Sequence, residues 1–396
     1  MRRILLLLLL SLLSSWFNNG YSQKTKITIV DRISKLPIEN VNINYVDSND
    51  GTISNSEGKA VIEFKKTAIK LTHINYEEFV VNAKDLKNGD TIYINPNLLQ
   101  LDEVIVNNFN LTKSLKYVLE NYKKLYVNVP FEKECDFKET VTVDNKLKRL
   151  ILSKVSWWDK SYFREKNDLK LRLSSINYSK NNSFEIFSDV PSLNNASNNG
   201  YAVPNSIINI LYLNTFLTSF ITYANNLDIK IEESPSNIIL ISFESDWKKI
   251  KENSYRQTGE IIFDKKTKAI VEITYNIEYE NNIVKGTIKE NNKELISETK
   301  ISSTKISFYK SLNNKWALKS FASKVGVDIM YNNKTYKTIF ENKIYVLKET
   351  AVKKVNNEGL IDLTKPIFQS LPSKTITNEN SILLTEKERK FIFETK

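Results

Sequence analysis

The sequence is poor in the residues that build metal and disulfide sites: its 396 residues include one cysteine, Cys135, and one histidine, His73. A single cysteine cannot form an internal disulfide, and a single imidazole cannot supply the ligand set of a zinc peptidase. His73 falls on a predicted strand, so we interpret it as a structural residue of that strand and not as a metal ligand. Cys135 has no nearby base or second thiol, which favours a small buried hydrophobe.

Glycine is also scarce, with 9 residues. The chain has neither a glycine-rich phosphate loop nor a G-x-S-x-G nucleophile elbow. A glycosidase needs only two carboxylates, and three close pairs occur: Glu132 with Glu134, Glu232 with Glu233, and Glu278 with Glu280. Because the chain has 46 acidic residues, such pairs are expected by chance. We therefore predict a protein that is not an enzyme, with no catalytic residues, no cofactor and no metal.

A long apolar run occurs only at the N-terminus. Two arginines precede the apolar residues 4–13, and the small residues Gly20 and Ser22 follow at the spacing of a cleavage site. The run is shorter than the ~20 residues that span a bilayer. Residues 1–22 are therefore predicted to be a secretory signal peptide. The mature protein is expected in the periplasm, at the outer membrane or on the cell surface.

Charge of one sign is in excess: 57 basic against 46 acidic residues give a net charge of +11. The lysines are scattered over predicted strand faces, a pattern typical of solubility and of protected sheet edges. The alternative explanation of the excess positive charge is an anionic partner, such as lipid headgroups or an acidic glycan. Export argues against nucleic acid as a partner.

The mature chain opens with short segments of alternating apolar and polar residues. They predict strands at residues 26–31, 41–46, 59–64, 68–74, 78–81 and 91–94. Turn residues separate them, and asparagine is expected to occupy many turns because it tolerates left-handed backbone. Short strands at this spacing predict a Greek-key β-sandwich over residues 24–106.

Several spaced motifs occur in order within this region. They are VD at 30–31, PI at 37–38, VNI at 41–43, SNSEGK at 54–59, LTHINY at 71–76 and LDEVIV at 101–106. In this combination the region resembles the carboxypeptidase regulatory-like domain, a transthyretin-like sandwich frequent in envelope proteins of Bacteroidetes-type bacteria. Ile27, Asn40 and Asn75 stand where that family usually carries glycine. The resemblance implies a non-catalytic module, found beside zinc carboxypeptidases, ahead of outer-membrane receptor barrels and on small envelope proteins.

Beyond the sandwich, residues 107–130 change to helical spacing. Apolar residues recur at intervals of three and four, at Leu111, Leu115, Val118, Leu119, Tyr122 and Leu125. This pattern predicts an amphipathic linker helix with Asn110 or Thr112 as N-cap and its end before Pro130. We expect it to pack on the following sheet; a membrane-surface helix is the alternative.

Residues 131–350 are predicted to form a larger antiparallel β-rich domain. Segments 136–143 and 148–155 make a hairpin around Asp144-Asn145, and segments 260–263 and 269–275 make another. Longer strands are expected at residues 284–289, 299–309, 316–329 and 335–346. The Asn- and Ser-rich segment 174–199 is predicted to be a mobile surface loop. The fold class is therefore mainly β with an α+β second domain, for which a curved half-barrel with a packed helix is one possible form.

Residues 204–226 contain no charged side chain and predict a helix. Its apolar residues form a broad surface, and an uncharged polar strip returns at helical spacing: Asn214, Thr215, Thr218, Ser219 and Thr222. A core helix, a helix that turns this strip toward an apolar ligand cavity, and a membrane span all fit the pattern. The second of these resembles the half-barrels of periplasmic lipoprotein carriers by fold-level analogy.

The remaining features concern aromatic residues and the C-terminus. Four tryptophans fall on or beside β-segments: Trp157, Trp158, Trp247 and Trp316. We expect them to pack in the core; the alternative is that they form a face on which sugars stack. Residues 351–396 are polar and predict a partly ordered tail with a short helix at 384–393.

The sequence thus predicts a non-enzymatic envelope protein for binding or assembly, with the sandwich as its docking module. Its expected partner is an envelope or outer-membrane protein. The two alternatives are a periplasmic carrier of an apolar ligand or lipoprotein, and a surface protein that binds or hydrolyses glycans.

Overall fold

The structure is a computed structural model. It describes residues 24–48, 50–63, 67–73, 75–97, 109–161, 163, 168–181, 207–208, 211–234, 237–287, 291–365, 367–370 and 384–393. The predicted signal peptide and the LDEVIV motif lie outside these residues. In the described part, 59% of the chain is strand and 14% is helix, which confirms the predicted mainly β fold class.

Strands and helices are numbered in chain order. The strands are β1 (Lys24–Asp31), β2 (Asn42–Tyr45), β3 (Gly51–Ile53), β4 (Lys59–Glu63), β5 (Ala68–His73), β6 (Tyr76–Asn82), β7 (Asp90–Ile94), β8 (Phe131–Val143), β9 (Lys146–Asp159), β10 (Lys170–Asn181), β11 (Asp228–Ser234), β12 (Ile238–Glu244), β13 (Lys248–Ile250), β14 (Asn253–Asp264), β15 (Ile270–Thr287), β16 (Glu294–Lys310), β17 (Trp316–Tyr331) and β18 (Lys334–Ala351). The helices are α1 (Leu111–Glu120), α2 (Tyr122–Leu125), α3 (Leu213–Ala224) and α4 (Glu386–Phe393), with 3₁₀ turns at Ala83–Asp85 and Ile367–Ser370.

Strands β1 to β7 form a two-sheet sandwich. One sheet has the order β4-β1-β7, with β1 parallel to β7, and the other has the order β3-β2-β5-β6. The core lies between them and contains Ile27, Ile29, Val41, Ile43, Ile62, Ile69, Leu71 and Ile92. The six predicted strands are confirmed in position. Strand β3 was not predicted, because the sequence around Gly51 indicates a turn.

The SNSEGK motif forms the tight turn before β4. Gly58 has φ +69°, and a Cβ at this position would stand 2.4 Å from the carbonyl oxygen of Ile29. Only glycine fits both the left-handed backbone and the close approach. Within the same turn, the Ser54 hydroxyl accepts from Val41 N at 2.9 Å and donates to Ile38 O at 2.7 Å. The motif therefore ties β2 and β4 together at the edge of the core.

The second domain is built on one large antiparallel sheet with the order β10-β9-β8-β18-β17-β16-β15-β14-β12-β11, and β13 pairs with β14. The predicted β8-β9 hairpin is confirmed, since Asp144 and Asn145 both have positive φ, 49° and 63°. Such a pair of residues gives the turn whose twist matches paired strands. The predicted pairing of β14 with β15 is confirmed as well.

Asparagine supplies most of the left-handed positions. Of the twelve non-glycine residues with positive φ in the described part, eight are asparagine: Asn40, Asn145, Asn237, Asn281, Asn292, Asn314, Asn332 and Asn333. Its short polar side chain tolerates this backbone better than other side chains. The expectation that asparagine replaces glycine at turns is confirmed.

One face of the large sheet, which we call the helical face, carries Phe243, Tyr275 and Phe308 and packs against helices α1 to α3. Ring contacts hold α3 to it, with Phe220 at 5.1 Å from Phe243 between ring centroids. Asn110 caps α1 by accepting from Lys113 N at 2.8 Å, as predicted. The other proposed cap, Thr112, instead donates to Asn225 Oδ1 at 2.6 Å and so links α1 to α3.

Two predictions in the second domain are corrected. The segment 174–199 is not a loop throughout, because β10 extends to Asn181 and pairs along β9; residues 182–199 lie outside the described part. Pairing with a neighbouring strand outweighs the turn-like composition. The helix predicted over 204–226 is interrupted: Ile207, Ile208 and Leu211 are helical, Tyr212 is extended, with φ −70° and ψ 105°, and the helix resumes at Leu213. The Tyr212 hydroxyl is bonded to the buried Asp159 carboxylate, which fixes this break.

The C-terminal helix α4 covers part of the opposite face. Leu384 packs on Leu150 and Leu152 of β9. Thr385 and Glu388 form a reciprocal capping box, with Thr385 N donating to Glu388 Oε2 at 2.7 Å and Glu388 N donating to Thr385 Oγ1 at 3.3 Å. The short helix predicted in the tail is therefore confirmed.

Candidate functional site

The sandwich docks on the face of the large sheet opposite α1 to α3, which we call the sandwich face. Lys343 Nζ of β18 lies 2.8 Å from Glu39 Oε1, and Lys319 Nζ of β17 donates to Asn44 Oδ1 at 3.1 Å. Ile53 of β3 and Tyr345 of β18 are buried against each other. An ion pair, a hydrogen bond and an apolar contact thus connect the two domains along β17 and β18.

Beside this contact lies a cleft of about 700 Å³, which we call the wedge cleft. Its sandwich wall includes Asn42, Thr72, His73 and Tyr76, and its sheet wall includes Asp264, Glu272, Ser307 and Tyr309. The sheet wall comes from β14 to β16, which follow β17 in the sheet order. The cleft therefore begins where the docking contacts end.

Strand periodicity explains why the sandwich wall is polar. In β2 and β5 the apolar residues Ile43 and Leu71 point into the sandwich core. Successive side chains of a strand point to opposite faces, so Asn42 and Thr72, which pair across β2 and β5, point out of the sandwich. Both line the wedge cleft. The same alternation therefore places apolar side chains in the sandwich core and polar side chains in the cleft wall.

The carboxylates of the wedge cleft already have partners. Glu78 lies 2.5 Å from Lys70, and Glu272 lies 2.7 Å from Lys305. Asp264 accepts from Thr267 N at 2.6 Å in the β14-β15 turn, and Glu77 accepts from Asn95 at 2.8 Å. The predicted carboxylate pairs lie elsewhere, and one member of each contacts a cation: Glu132 with Arg172, Glu232 with Lys230, and Glu278 with Arg256.

Two polar atoms of the cleft walls are buried without a hydrogen-bond partner among the described residues, the Tyr309 hydroxyl and Asn42 Oδ1. Tyr309 is 8% exposed. Burial raises the pKa of its hydroxyl, and the carboxylates of Glu349 and Asp50 raise it further. The phenol is therefore neutral at pH 7. A buried polar atom without a partner costs free energy and is unusual in a folded protein.

Lys319 lies at the domain contact, beside the cleft residue Asn44, and is 2% exposed. Burial lowers the pKa of its ammonium to about 7, because the charged form loses its hydration. Its Nζ stands 5.7 Å from the centre of the Tyr309 ring. The amine at the domain contact therefore loses its proton more readily than an exposed lysine does.

His73 ends β5, as the sequence predicted, and its Nδ1 accepts from Asn75 N at 3.2 Å. Its ring meets Tyr76 edge to face at 5.2 Å. Burial lowers the pKa of His73 to about 4, and the nearby Lys305 charge acts in the same direction. The imidazole is therefore neutral at pH 7. In the part of the chain that the structure describes, no three His, Cys, Asp or Glu side chains converge as a metal site.

The polar strip of α3, for which the sequence left a ligand-facing role as one alternative, is largely exposed to solvent. Asn214 is half-buried, and the other four residues of the strip, Thr215, Thr218, Ser219 and Thr222, are exposed. Thr218 donates its hydroxyl to Asn214 O at 2.7 Å within the helix. The apolar side of α3, with Leu217 and Phe220, is the side that packs on the sheet. Of the three arrangements left open by the sequence, this packing agrees with a core helix.

The apolar space near the residues that precede α3 is small. Among the described residues, Cys135, Trp157, Ile207 and Ile208 line a cavity of about 30 Å³, enough for a water molecule or two but not for a lipid chain. Burial raises the pKa of the Cys135 thiol to about 12. Cys135 is therefore the inert buried residue that the sequence predicted.

The tryptophans divide between core and surface. Trp157 and Trp158 are buried in the second domain. Trp247 is 42% exposed, with the Arg256 guanidinium 5.6 Å from its ring centre. Trp316 is 9% exposed and lines the wedge cleft. They do not share one sugar-stacking face.

Comparisons with known proteins add little to this geometry. No family model matches the chain, and no curated protein matches it. Among solved structures, a crystal structure of a presumed membrane-associated protein of unknown function from Bacteroides fragilis is 8% identical, covering 82% of this chain and 97% of its own, with a TM-score of 0.15. None of the helices in the described ranges has the length and apolar character of a membrane span.

Proposed function

We propose that this chain is a non-enzymatic binding protein of the bacterial envelope, in which the sandwich and the large sheet act as one binding unit around the wedge cleft. The observation that carries the proposal is the position of the cleft, about 700 Å³ at the contact of two domains. Ligand sites have about this volume and favour domain junctions. The signal peptide predicted from residues 1–22 supports the envelope as location.

The resemblance to carboxypeptidase regulatory-like domains agrees with this role, since it implies a module that binds rather than catalyses. Within the chain, the sandwich uses β3 and the segment around Glu39 to contact the large sheet. Its outward Asn42 and Thr72 form one wall of the cleft. These contacts support a docking role for the sandwich toward the chain's own second domain.

A second candidate is assembly with an outer-membrane protein through the edge of the sandwich at β6. Strand β6 is the last strand of its sheet and pairs with β5 on one side, and at the start of its other side Glu77 N donates to Asn95 O at 2.9 Å. Val80 on this strand is 52% exposed. An edge strand offers unpaired backbone groups to which a partner strand can add. This favours β6 as the surface that such a partner would use.

Site-specific photocrosslinking in cells distinguishes the candidates. A benzophenone side chain is placed at Leu312, an exposed residue of the wedge cleft, at Val80 on the sandwich edge, or at Thr218 on the α3 strip. The binding proposal predicts adducts from Leu312 and none from Thr218. Protein adducts from Val80 alone would favour assembly through β6 instead. Adducts from Thr218 alone would point to a carrier and would contradict the proposal.

A further inference from the structure

The wedge cleft has an excess of acidic side chains although the whole chain is basic. Two basic and four acidic residues line it, a net of −2, whereas the full sequence carries +11. His73 adds no positive charge at neutral pH, because its pKa is lowered to about 4. A phosphate, sulfate or uronate ligand would meet like charge in the cleft. The lining disfavours an anionic ligand.

A cationic ligand is disfavoured for a different reason. The carboxylates of Glu78 and Glu272 each face a lysine at 2.5 Å and 2.7 Å, and Asp264 is used by the backbone and hydroxyl of Thr267. A cation would have to replace these contacts. Apart from Glu77, which accepts from Asn95 at 2.8 Å, and the basic Lys310, the remaining polar groups of the walls are neutral.

Those neutral groups are amides and hydroxyls placed beside aromatic rings. Asn42 and Thr72 stand next to each other on the sandwich wall, and Ser307 and Tyr309 lie on the sheet wall. Amides and hydroxyls both donate and accept hydrogen bonds, which matches a ligand whose hydroxyls do the same. The half-buried ring of Tyr76 supplies an amphipathic surface beside them.

We propose that the wedge cleft binds a neutral carbohydrate, with hydrogen bonds to Asn42, Thr72 and Tyr309. This inference rests on the binding role proposed above and names its ligand class. The cleft volume of about 700 Å³ lies within the range of small-molecule sites.

The Tyr309 hydroxyl gives the second, independent observation. It is buried and has no hydrogen-bond partner among the described residues, so the unliganded protein bears the cost of burying it. The oxygen has almost no solvent-exposed surface in the unliganded protein, so the proposal requires the ligand to displace neighbouring side chains of the cleft wall as it binds. A sugar hydroxyl then supplies the missing partner.

The experiment uses the mature protein and a panel of neutral oligosaccharides built from glucose, mannose, galactose, xylose or N-acetylglucosamine. Oligogalacturonate and heparin oligosaccharides are the acidic comparison. Binding is screened on an array of these probes and measured by calorimetry. Tyr309→Phe removes the unpartnered hydroxyl, and Tyr331→Phe is the matched control, since its hydroxyl accepts from Asn291 far from the cleft at 3.0 Å.

We expect the wild type to bind at least one neutral oligosaccharide and Tyr309→Phe to bind it about 10-fold more weakly. The melting temperature of unliganded Tyr309→Phe should be no lower than that of the wild type, because the substitution removes no hydrogen bond. Tyr331→Phe should bind normally. Thr72→Arg, which fills the cleft from an outward-facing strand position, should abolish binding and remain folded.

Binding of acidic probes alone, or of none, would overturn the carbohydrate assignment. So would neutral binding that neither Tyr309→Phe nor Thr72→Arg weakens. These failures are distinguishable from failure of the binding role, because the photocrosslink at Leu312 reports any occupant of the cleft. A crosslink at Leu312 without carbohydrate binding leaves the binding role standing and removes only the ligand class.

Discussion

At the scale of single residues, Lys319 carries the largest electrostatic cost at the domain contact. Its folded-state pKa of about 7 lies below the ordinary lysine value of 10.5. The folded protein therefore binds this proton less well than the unfolded chain does. The free-energy cost of burying the charged amine is fully present below pH 7, decreases as pH rises from 7 to 10.5, and is absent above that range.

We predict that Lys319→Met stabilises the protein at pH 6 by an amount on the order of 2 kcal/mol. The substitution removes the desolvation cost of the buried amine, but it also removes the hydrogen bond to Asn44, which offsets part of the gain in stability. At pH 10 the gain should be gone or reversed. Urea unfolding at both pH values measures the difference.

The control for this prediction is Lys324→Met on the same strand. Lys324 is partly exposed, with its Nζ 3.9 Å from Glu341. A surface pair of this kind contributes little, so its substitution should change stability by less than about 0.5 kcal/mol at either pH. An effect of Lys319→Met that is the same at pH 6 and pH 10 would show that its amine is not desolvated.

At the scale of secondary-structure elements, helix α4 depends on one short motif. Thr385 and Glu388 cap each other, and Glu388 also lies 2.7 Å from Lys138 of β8. Both side chains of this ion pair are 9% exposed. The helix is therefore held to the sheet by a buried charge as well as by Leu384.

We predict that Thr385→Ala costs about 1 kcal/mol, the usual value of an N-cap. Glu388→Ala should cost more, about 3 kcal/mol, because it removes both the cap and the carboxylate that faces Lys138. Hydrogen exchange of α4 measures both changes. Lys390→Ala is the control, since Lys390 pairs with the exposed Glu386 one turn away; equal losses from all three variants would contradict the prediction.

The elements also show what local sequence can predict. Alternation located six strands of the sandwich, and Asp144-Asn145 identified a hairpin, because both signals depend on neighbouring residues. The interruption of the predicted helix at Tyr212 was not predicted, because the Tyr212 hydroxyl is bonded to Asp159, a residue distant in sequence. Strand β10 is not predicted because its pairing with β9 is not visible in its Ser- and Asn-rich composition.

At the scale of the whole molecule, the wedge cleft could not be predicted. Its walls combine Asn42 and Thr72 of the sandwich with Tyr309 of the large sheet, which is remote from both along the chain. The sequence indicates that these strand positions alternate with core residues, but not which surface faces them. The predicted strip on α3 belongs to a single helix, whereas the candidate site is formed by two domains.

The docking of the sandwich on the large sheet underlies both proposals, and zero-length crosslinking tests it most directly. A carbodiimide joins a lysine to a carboxylate only when they touch, as Lys343 and Glu39 do at 2.8 Å across the domain contact. The pair Lys70 and Glu78, 2.5 Å apart within the sandwich, is the internal control. We predict that peptide mapping of the monomer recovers both crosslinks. Recovery of the Lys70 to Glu78 crosslink without the Lys343 to Glu39 crosslink would contradict the docked arrangement and, with it, the wedge cleft.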